Sequence, residues 1–469
     1  MKTGIIRQSF SNETGYRIDP SFHLSEAIKI RADIEHSPYR IVTISDVSDK
    51  IYLGSIFSRN FVADANYGVP YLSASDSVLS DINTGKYISK SQASQLSYLL
   101  LKKGWILITC SGTLGNVTYT TADFEGHIGT HDLIRVIPSN KIILSGAVYA
   151  YLSSKYGYYQ LTQSRFGGVV KHINDAQVGS VKIPVFPESL QRSVDTLIQE
   201  GSRLREEATT ALLEARKLLK DSAHLDDLTT DDYDYYGAHS ASRVVSCFTR
   251  NISELGTLSF HAFNYSERMR RTRAKIKQPY LRLDDVLDNG KLKNPTHVAV
   301  VPMKEGCGIM LINQSDIFDR QVRGKWVKKE PKYLKDLLEY GEVLIAKIGT
   351  LGENETFCNT IFVNEDLVGQ LTSSAFYRLK TNGRVPSGYL YAWLSSDYGF
   401  RLIRNTQYGT KQCYPNPTLL LNIPIPIVEK QIIDRIDVLV RDAHTKRYLA
   451  NQKELQAISI IESEIESWS

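Results

Sequence analysis

Apolar residues recur at helical spacing in two long stretches of the chain. The first stretch, Pro187–Ser222, repeats them at three- and four-residue steps and has no glycine after Gly201. The second stretch, Glu429–Ser467, carries the same kind of stripe. The spacing predicts two amphipathic helices of about 50 Å each, at ~1.5 Å per residue. A narrow apolar seam favours pairing of the two as an antiparallel coiled coil, and the alternative is that each helix packs back on its own domain.

The remaining sequence mixes strand and helix patterns. Short β-branched runs bounded by glycine predict strands, as in WILITC (Trp105–Cys110), HDLIRVI (His131–Ile137) and VLIAKI (Val343–Ile348). Longer aromatic segments, YAYLSSKYGYYQLTQ and YAWLSSDYGFRLIRN, predict helices with a core-facing side. The fold class expected is α+β.

These elements occur twice in the same order. SGAVYAYLSSKYGYYQL (Ser145–Leu161) returns as SGYLYAWLSSDYGFRLI (Ser387–Ile403), and GWILITCSGTLGN from Gly104 returns as GEVLIAKIGTLGE from Gly341. A period this long exceeds any solenoid repeat and matches the size of a domain. The sequence therefore predicts two similar mixed α/β domains, 1–186 and 241–428, a spacer helix at 187–225, an acidic linker at 226–240 and a second spacer helix at 429–469.

Charge separates the predicted parts. The chain has a net charge of +5, but residues 1–186 carry +4 and residues 240–428 carry +9, whereas residues 187–239 carry −6 and residues 429–469 carry −2. Basic domains joined by acidic helices are expected if the domains approach a polyanion. The densest basic run, Arg268–Lys277, opens the second copy, and it is equally compatible with a solvated surface.

Composition limits the other function classes. The hydrophobic content of 42% is enough for two globular cores. Five scattered cysteines, with no CxxC spacing, indicate a reducing compartment and no zinc site. The N-terminus lacks a signal-peptide pattern and no run of 18 apolar residues occurs, so we expect a cytoplasmic protein without a membrane segment or cofactor.

Known catalytic motifs are absent from the sequence. GTLG does not have the spacing of a P-loop or a dinucleotide-binding loop, and the histidines form no HExxH. The charged group around Glu330 and Lys332 lacks a second acid at a spacing suited to a nuclease metal site. The sequence therefore predicts a protein that binds rather than catalyses.

The ordered set of motifs resembles the specificity subunit of type I restriction-modification systems. The set comprises the glycine turn, the YLSS helix, an IP-rich exit followed by Gln191 or Gln431, and a long helix, all present twice. The segment Arg17–Glu26 also looks like the family's opening segment, although the second copy lacks its RID triplet. The resemblance implies two target recognition domains on paired helices, reading a bipartite site in double-stranded DNA. It also implies that adenine-N6 methyltransferase subunits dock on the helices, that a translocating restriction subunit joins the full assembly, and that the chain serves in phage defence without catalysing a reaction itself.

Contacts with DNA are expected where the copies are polar or basic. Around the glycine turns Ser111, Thr113 and Asn116, with Thr350 and Asn354, can present hydroxyls and amides, although the glycines are explained as well by backbone conformation alone. Positions where the copies differ are better candidates for sequence reading. The predicted DNA-binding residues are Arg165, Lys171, His172, Arg268, Arg270, Arg271, Arg273, Arg404, Lys411, Gln412, Thr113 and Thr350.

Two functions of other classes remain open at this point. One is an endonuclease built around Glu330 and Lys332, and the other is a structural adaptor whose repeats bind protein.

Overall fold

The chain divides into two compact units. A computed structural model describes residues 27–163, 172–229, 232, 248–255, 259–352 and 355–468. Unit 1 comprises Met1–Glu206 with Leu449–Ser469, and unit 2 comprises Glu207–Tyr448. Both units mix helices and strands, as the sequence predicts.

Within the described residues of unit 1, five α-helices precede the first long helix. They are α1 (Ala27–Glu35), α2 (Lys90–Gln95), α3 (Ser145–Ser153), α4 (Lys155–Gln163) and α5 (Asp175–Gly179), followed by α6 (Glu188–Ser222). The strands of this unit are β1 (Ile41–Thr43), β2 (Ser48–Leu53), β3 (Phe61–Val62), β4 (Gly68–Leu72), β5 (Tyr87–Ser89), β6 (Ile106–Thr109), β7 (Val117–Tyr119), β8 (Ile128–Gly129), β9 (Leu133–Pro138) and β10 (Lys182–Pro184).

Two four-stranded sheets organise unit 1. In the first sheet, β6 lies between β7 and β9 with both pairs antiparallel, and β2 extends the sheet beyond β9. All four residues of β6 are buried, which fits the three aliphatic residues Ile106, Leu107 and Ile108 that begin it. In the second sheet, β4 pairs antiparallel with β5 and parallel with β8.

Unit 2 contains the second set of elements. Its helices are α7 (Glu267–Ala274), α8 (Leu283–Val286), α9 (Ser387–Leu394), α10 (Asp397–Asn405) and α11 (Pro417–Leu421), followed by the second long helix α12 (Lys430–Glu466). Its strands are β11 (Tyr280–Arg282), β12 (Ile309–Ile312), β13 (Lys325–Val327), β14 (Val343–Ala346), β15 (Thr360–Phe362), β16 (Leu371–Thr372), β17 (Phe376–Leu379), β18 (Gln407–Tyr408), β19 (Tyr414–Pro415) and β20 (Pro424–Pro426).

The strand pairings of unit 1 recur in unit 2. Strand β14 lies between β15 and β17 with antiparallel pairs, as β6 lies between β7 and β9. Strand β12 pairs antiparallel with β13 and parallel with β16, as β4 does with β5 and β8. The internal repeat in the sequence thus corresponds to a repeated sheet topology.

Each aromatic segment begins with a Ser-Gly pair, and close packing explains why the second residue of the pair is glycine. Gly146 at the start of α3 donates its backbone N–H to Asp195 Oδ1 at 2.7 Å, and Gly388 at the start of α9 donates to Asp437 Oδ1 at 2.7 Å. A Cβ atom at these glycines would lie 2.6 and 2.5 Å from the same carboxylate oxygens. Any larger residue would therefore push the long helix away from the aromatic helix.

Each unit contains a segment of both long helices. In unit 1, Arg205 of α6 contacts Glu454 of α12 at 2.9 Å, and Glu200 contacts Lys453 at 2.7 Å. In unit 2, Glu207 contacts Lys446 at 3.2 Å. Also in unit 2, Glu214 contacts Arg435 at 3.2 Å, so residue numbers fall along α12 as they rise along α6 and the two helices run in opposite directions in that unit. Small residues occupy much of the buried seam, namely Ala208, Ala211, Ala215, Ala443, Ala450 and Ala457.

The acidic linker predicted at 226–240 is in part a packed segment. Asp232 is buried and accepts hydrogen bonds from Lys275 Nζ at 2.5 Å and the Thr229 backbone at 2.8 Å. Tyr398 donates its hydroxyl to the carbonyl of Asp226 at 2.8 Å. Apart from Asp232, residues 230–240 lie outside the described residues.

Candidate nucleic-acid interface

The first glycine turn is tied to the segment that follows the aromatic helices of unit 1. Ser111 forms a backbone bridge with His172, and the Ile173 N–H donates to the carbonyl of Cys110 at 3.1 Å. Thr113 at the tip is exposed, and Thr109 Oγ1 donates to its carbonyl at 2.5 Å. Two predicted site residues, Thr113 and His172, therefore belong to connected segments of one unit.

The second glycine turn has the same connection in unit 2. Gly349 and Cys413 exchange backbone hydrogen bonds of 2.8 and 3.3 Å. Thr350 is exposed beyond this bridge, and Lys411 and Gln412 are exposed in the connection between β18 and β19. The predicted residues Thr350, Lys411 and Gln412 are thus brought to one region of the unit.

The glycines of the two turns are required for different structural reasons. Gly112 and Gly115 have φ of 68° and 77°, which favours glycine as the sequence suggested. Gly349 is not in this left-handed region, and a Cβ there would lie 2.7 Å from Phe357 Cβ. In the second turn this glycine is required by close packing rather than by backbone conformation.

The arginine-rich helix α7 lies close to the β18–β19 hairpin. Asn264, just before α7, donates from Nδ2 to the carbonyls of Asn405 and Gln407 at 2.5 and 3.0 Å. Arg270, Arg271 and Arg273 are exposed along α7, and Arg268 is half-buried. Arg271 and Arg273 lie in the last turn of α7, where cations complement the negative C-terminal end of the helix dipole. Part of this basic run therefore has a structural role as well.

Arg404 is a correction to the predicted interface. Its side chain is fully buried in α10, and its guanidinium donates to the carbonyls of Leu351 and Gly352 at 3.0 and 2.7 Å. The same group lies 4.3 Å from the centroid of the Phe400 ring. A direct DNA contact at Arg404 is therefore wrong, because the side chain holds the glycine turn from the protein interior.

Three candidates cannot be located on this surface. Arg165 and Lys171 of the first copy and Asn354 of the second lie outside the described residues. They remain predictions from the sequence.

A polar cluster that the sequence analysis missed lies beside the first turn. Asp132 accepts a hydrogen bond from Ser111 Oγ at 3.0 Å, and its carboxylate lies 3.5 Å from His131 Nε2 and 3.9 Å from Arg59 Nη2. Arg59 also donates to the Tyr71 hydroxyl at 2.6 Å. Arg59 is far from Asp132 in sequence, so no local spacing reveals the cluster.

A buried arginine fixes the loop that carries Asp132. Arg135 of β9 is fully buried and donates to the carbonyls of Leu133, Gly129 and Thr130 at 2.6, 2.7 and 3.1 Å. Burial lowers the pKa of this guanidinium. The carbonyl contacts hold the loop in one conformation.

The equivalent region of unit 2 is occupied by a lysine and two amides. Lys347 Nζ donates to Asn294 Oδ1 at 2.8 Å and lies 4.6 Å from the centroid of the Tyr377 ring. Gln314 Nε2 donates to the carbonyl of Ile348 at 2.6 Å. Burial lowers the pKa of Lys347.

The charged group considered as a nuclease site is a surface ion pair. Lys332 Nζ lies 2.8 Å from Glu330 Oε2, and the hydrogen bond from Lys332 lowers the pKa of Glu330. Across the part of the chain that the structure describes, no group of three or more histidine, cysteine, aspartate or glutamate side chains is arranged to hold a metal ion. The same described ranges contain no helix both long and apolar enough to cross a bilayer.

Comparison with known proteins gives a family match within the first unit. Residues 36–197 match the sequence model of the family described as type I restriction modification DNA specificity domain. A search of curated proteins gives no match.

Solved structures similar to this chain include two specificity subunits. The type I restriction-modification S subunit from M. genitalium has 14% sequence identity and a TM-score of 0.36, with 92% of this chain and 96% of that chain covered. The HsdS subunit from Thermoanaerobacter tengcongensis has 14% identity and a TM-score of 0.27 at the same coverage. A chain from a study of complex assembly in the type I R-M system has 15% identity and a TM-score of 0.28, with 92% and 98% covered.

The matched range 36–197 includes the first glycine turn, His172 and the Asp132 cluster. The resemblance predicted from the sequence is therefore confirmed over residues 36–197, which match the model of the type I restriction modification DNA specificity domain.

Proposed function

We propose that the chain is the DNA-recognition subunit of a type I restriction-modification complex. In this proposal each unit reads one half of a bipartite target, and partner subunits carry out adenine methylation and restriction. The observation that carries the proposal is the specificity-domain match over residues 36–197, which contains the polar surface around the first glycine turn. The recurrence of the same strand pairings in unit 2 supports a second reading surface.

Affinity in this proposal comes mainly from cations that neutralise phosphates. The exposed residues Arg270, Arg271 and Arg273 of α7, with Lys411 in the neighbouring hairpin, are suited to that role. Arg165 and Lys171 are proposed to act similarly in the first half, with half-buried Arg268 as a further candidate. Polar side chains near the turns, including His172, Thr113, Thr350 and Gln412, then contact base edges or sugars.

The long helices are proposed to pair as an antiparallel coiled coil and to dock the methyltransferase subunits. The contacts of Arg205 with Glu454 and of Glu207 with Lys446 support this pairing. Leu213 and Val438 are 54% and 55% exposed on the helices of unit 2, so they offer apolar surface to a partner. The domain boundaries proposed are those of the repeat, 1–186 and 241–428.

The test is a map of methylated adenines by long-read sequencing of the host genome. Deletion of the gene is expected to abolish methylation at one bipartite motif, and restoration of the gene is expected to return it. A methylation map that does not change on deletion contradicts the proposal.

Binding by the purified chain separates the alternatives. The logarithm of the affinity for duplex DNA should fall linearly with the logarithm of salt concentration, by about 0.9 per phosphate neutralised. Binding that is absent or insensitive to salt favours the protein adaptor. Cleavage of DNA by the isolated chain with a divalent metal, lost in Glu330→Gln, favours the endonuclease.

A further inference from the structure

The two units place different side chains at one equivalent cross-strand pair of positions in their sheets. In unit 1 the β6–β9 ladder ends with Thr109 opposite Leu133, and the next contact is the Cys110 N–H donating to the carbonyl of Asp132 at 3.1 Å. In unit 2 the β14–β17 ladder ends with Ala346 opposite Phe376. The register of the two ladders therefore defines the residues that follow as structural equivalents.

The hydrogen bond that follows the ladder of unit 2 completes the equivalence. The Lys347 N–H donates to the carbonyl of Ala375 at 2.9 Å. Lys347 thus corresponds to Cys110, and Ala375 corresponds to Asp132. At this end of the sheet, next to the glycine turn, unit 1 carries a carboxylate and unit 2 carries an ammonium group.

The carboxylate of Asp132 retains the capacity to accept further hydrogen bonds. Its side chain is 31% exposed, and Ser111 Oγ is the hydrogen-bond donor to it among the described side chains. A carboxylate has about four lone-pair sites, so acceptor positions remain for an outside donor. The nearby guanidinium of Arg59 reduces the repulsion that a carboxylate would meet next to phosphates.

Lys347 retains the capacity to donate further hydrogen bonds. Its ammonium group has three N–H donors, and Asn294 Oδ1 takes one of them within the described part of unit 2. The Tyr377 ring at 4.6 Å restricts the side chain to one region beside the turn. The group is therefore both oriented and able to donate to an outside acceptor.

We propose that this cross-strand pair of positions reads a base edge in each half-site, through Asp132 on one strand in unit 1 and through Lys347 on the other strand in unit 2. Asp132 accepts from an exocyclic amino group and Lys347 donates to guanine. The chemistry follows from the major groove, where cytosine N4 and adenine N6 are donors and guanine O6 and N7 are acceptors. This inference rests on the proposed function. It accounts for different half-sites read by two similar units, which the shared glycine turn cannot do.

The test replaces each side chain in the strain used for methylation mapping. Asp132→Asn is expected to relax one base position of one half-site, and Lys347→Gln to relax one position of the other half-site. The loss of discrimination at each position should be roughly tenfold to a hundredfold. All remaining positions of the motif should stay as in the wild type.

Matched controls remove the same charges elsewhere in the same unit. Asp49→Asn removes an exposed carboxylate paired with Lys141, and Lys380→Gln removes an exposed ammonium paired with Glu339. Neither control should change the motif. Relaxation in a control equal to that in its matched variant overturns the assignment.

Three outcomes overturn the inference while leaving the proposed function intact. The first is an unchanged methylation motif. The second is a uniform loss of methylation by a variant whose unfolding temperature equals that of the wild type. The third is a change in both half-sites from one substitution. A uniform loss from Lys347→Gln would identify Lys347 as a phosphate contact. If Asp132→Asn does not fold, Asp132→Ser is scored in its place, and Lys347→Gln decides independently. Failure of the proposed function is distinct, because restoration of the wild-type gene would then restore no motif.

Discussion

His444 is a neutral buried side chain on the second long helix. Its ring stacks on Phe362 with centroids 4.9 Å apart and meets the Tyr391 ring at 5.0 Å. Burial, together with the charges of Arg447 and Arg216, holds the pKa of His444 well below its usual range. Protonation would place a third positive charge in this packed region of unit 2.

We expect this histidine to make unit 2 sensitive to acid. The folded state binds the proton less well than the unfolded state, whose histidine pKa is about 6.5, so the stabilisation is complete above that pH and decreases below it. The loss approaches ~1.4 kcal/mol per pH unit until the folded pKa is reached. Calorimetry of the wild type and of His444→Phe between pH 7.5 and 5.5 should show a smaller decrease in unfolding temperature for the variant.

The same substitution at an exposed histidine is the control. His297→Phe lies in unit 2 on the surface and should keep the acid sensitivity of the wild type. Equal sensitivity in His444→Phe and the wild type would contradict the assignment of this effect to His444.

Single residues were the hardest part to predict from the sequence. The polar character of the turns makes Thr113 and Thr350 candidates for DNA contact, and both side chains are exposed. Arg404 was misjudged because an arginine that donates to backbone carbonyls has the same sequence signature as one on the surface. Asp132 and Lys347 have no distinguishing sequence signature, because their surroundings are assembled from strands far apart in the chain.

Among the elements, the long helices were the most predictable. Their observed bounds, Glu188–Ser222 and Lys430–Glu466, lie within three residues of the predicted ones, because a sustained period of apolar residues specifies a helix without tertiary information. The aromatic segment of the first copy instead forms two helices, α3 and α4, with Ser154 between them. Its apolar pattern continues across the break, so periodicity alone could not locate it.

A buried ionic network in unit 1 joins the two long helices. Arg205 and Glu454 are each 5% exposed, and Arg205 also donates to Asn451 Oδ1 at 2.7 Å. Removing one charge leaves the other buried, so Glu454→Leu should reduce the free energy of unfolding by about 3–5 kcal/mol. The double variant Arg205→Met, Glu454→Leu should recover most of this loss, as measured by urea denaturation.

An exposed pair on the same helices provides the comparison. Lys453 and Glu200 are 2.7 Å apart, with side chains 36% and 41% exposed. Lys453→Ala should change the free energy of unfolding by less than about 1 kcal/mol. If Glu454→Leu costs no more than Lys453→Ala, the buried network does not stabilise the helix pair.

At the scale of the molecule, unit 1 is built from both ends of the chain and unit 2 from one continuous segment. Arg205 Nη2 and Asn451 Oδ1 are 2.7 Å apart, so the points where the chain leaves and re-enters unit 1 are close together. Joining Glu206 to Leu449 through a linker of about four glycine and serine residues should therefore give a folded unit 1. Circular dichroism and a single cooperative thermal transition would verify it.

The control for this shortened chain lacks residues 449–469. Ala457, Ile461 and Ile465 are buried in the core of unit 1, so their loss leaves the apolar side of α6 uncovered. The truncated chain is expected to aggregate or to lose its cooperative transition. Equal behaviour of the two shortened chains would show that the second long helix is dispensable for unit 1.

Glu207 and Lys446 lie 3.2 Å apart near the two ends of unit 2. This proximity affects how the coding sequence of unit 2 can be exchanged between genes. The coding sequence of unit 2 is one uninterrupted stretch whose ends encode neighbouring turns of two helices. A pair of crossovers in those helical codons exchanges the whole unit and leaves the residues that form the core of unit 1 unchanged. One double crossover between related genes can therefore replace unit 2 of this protein as a whole. The exchange does not pass through a gene that encodes an incomplete, unfolded unit.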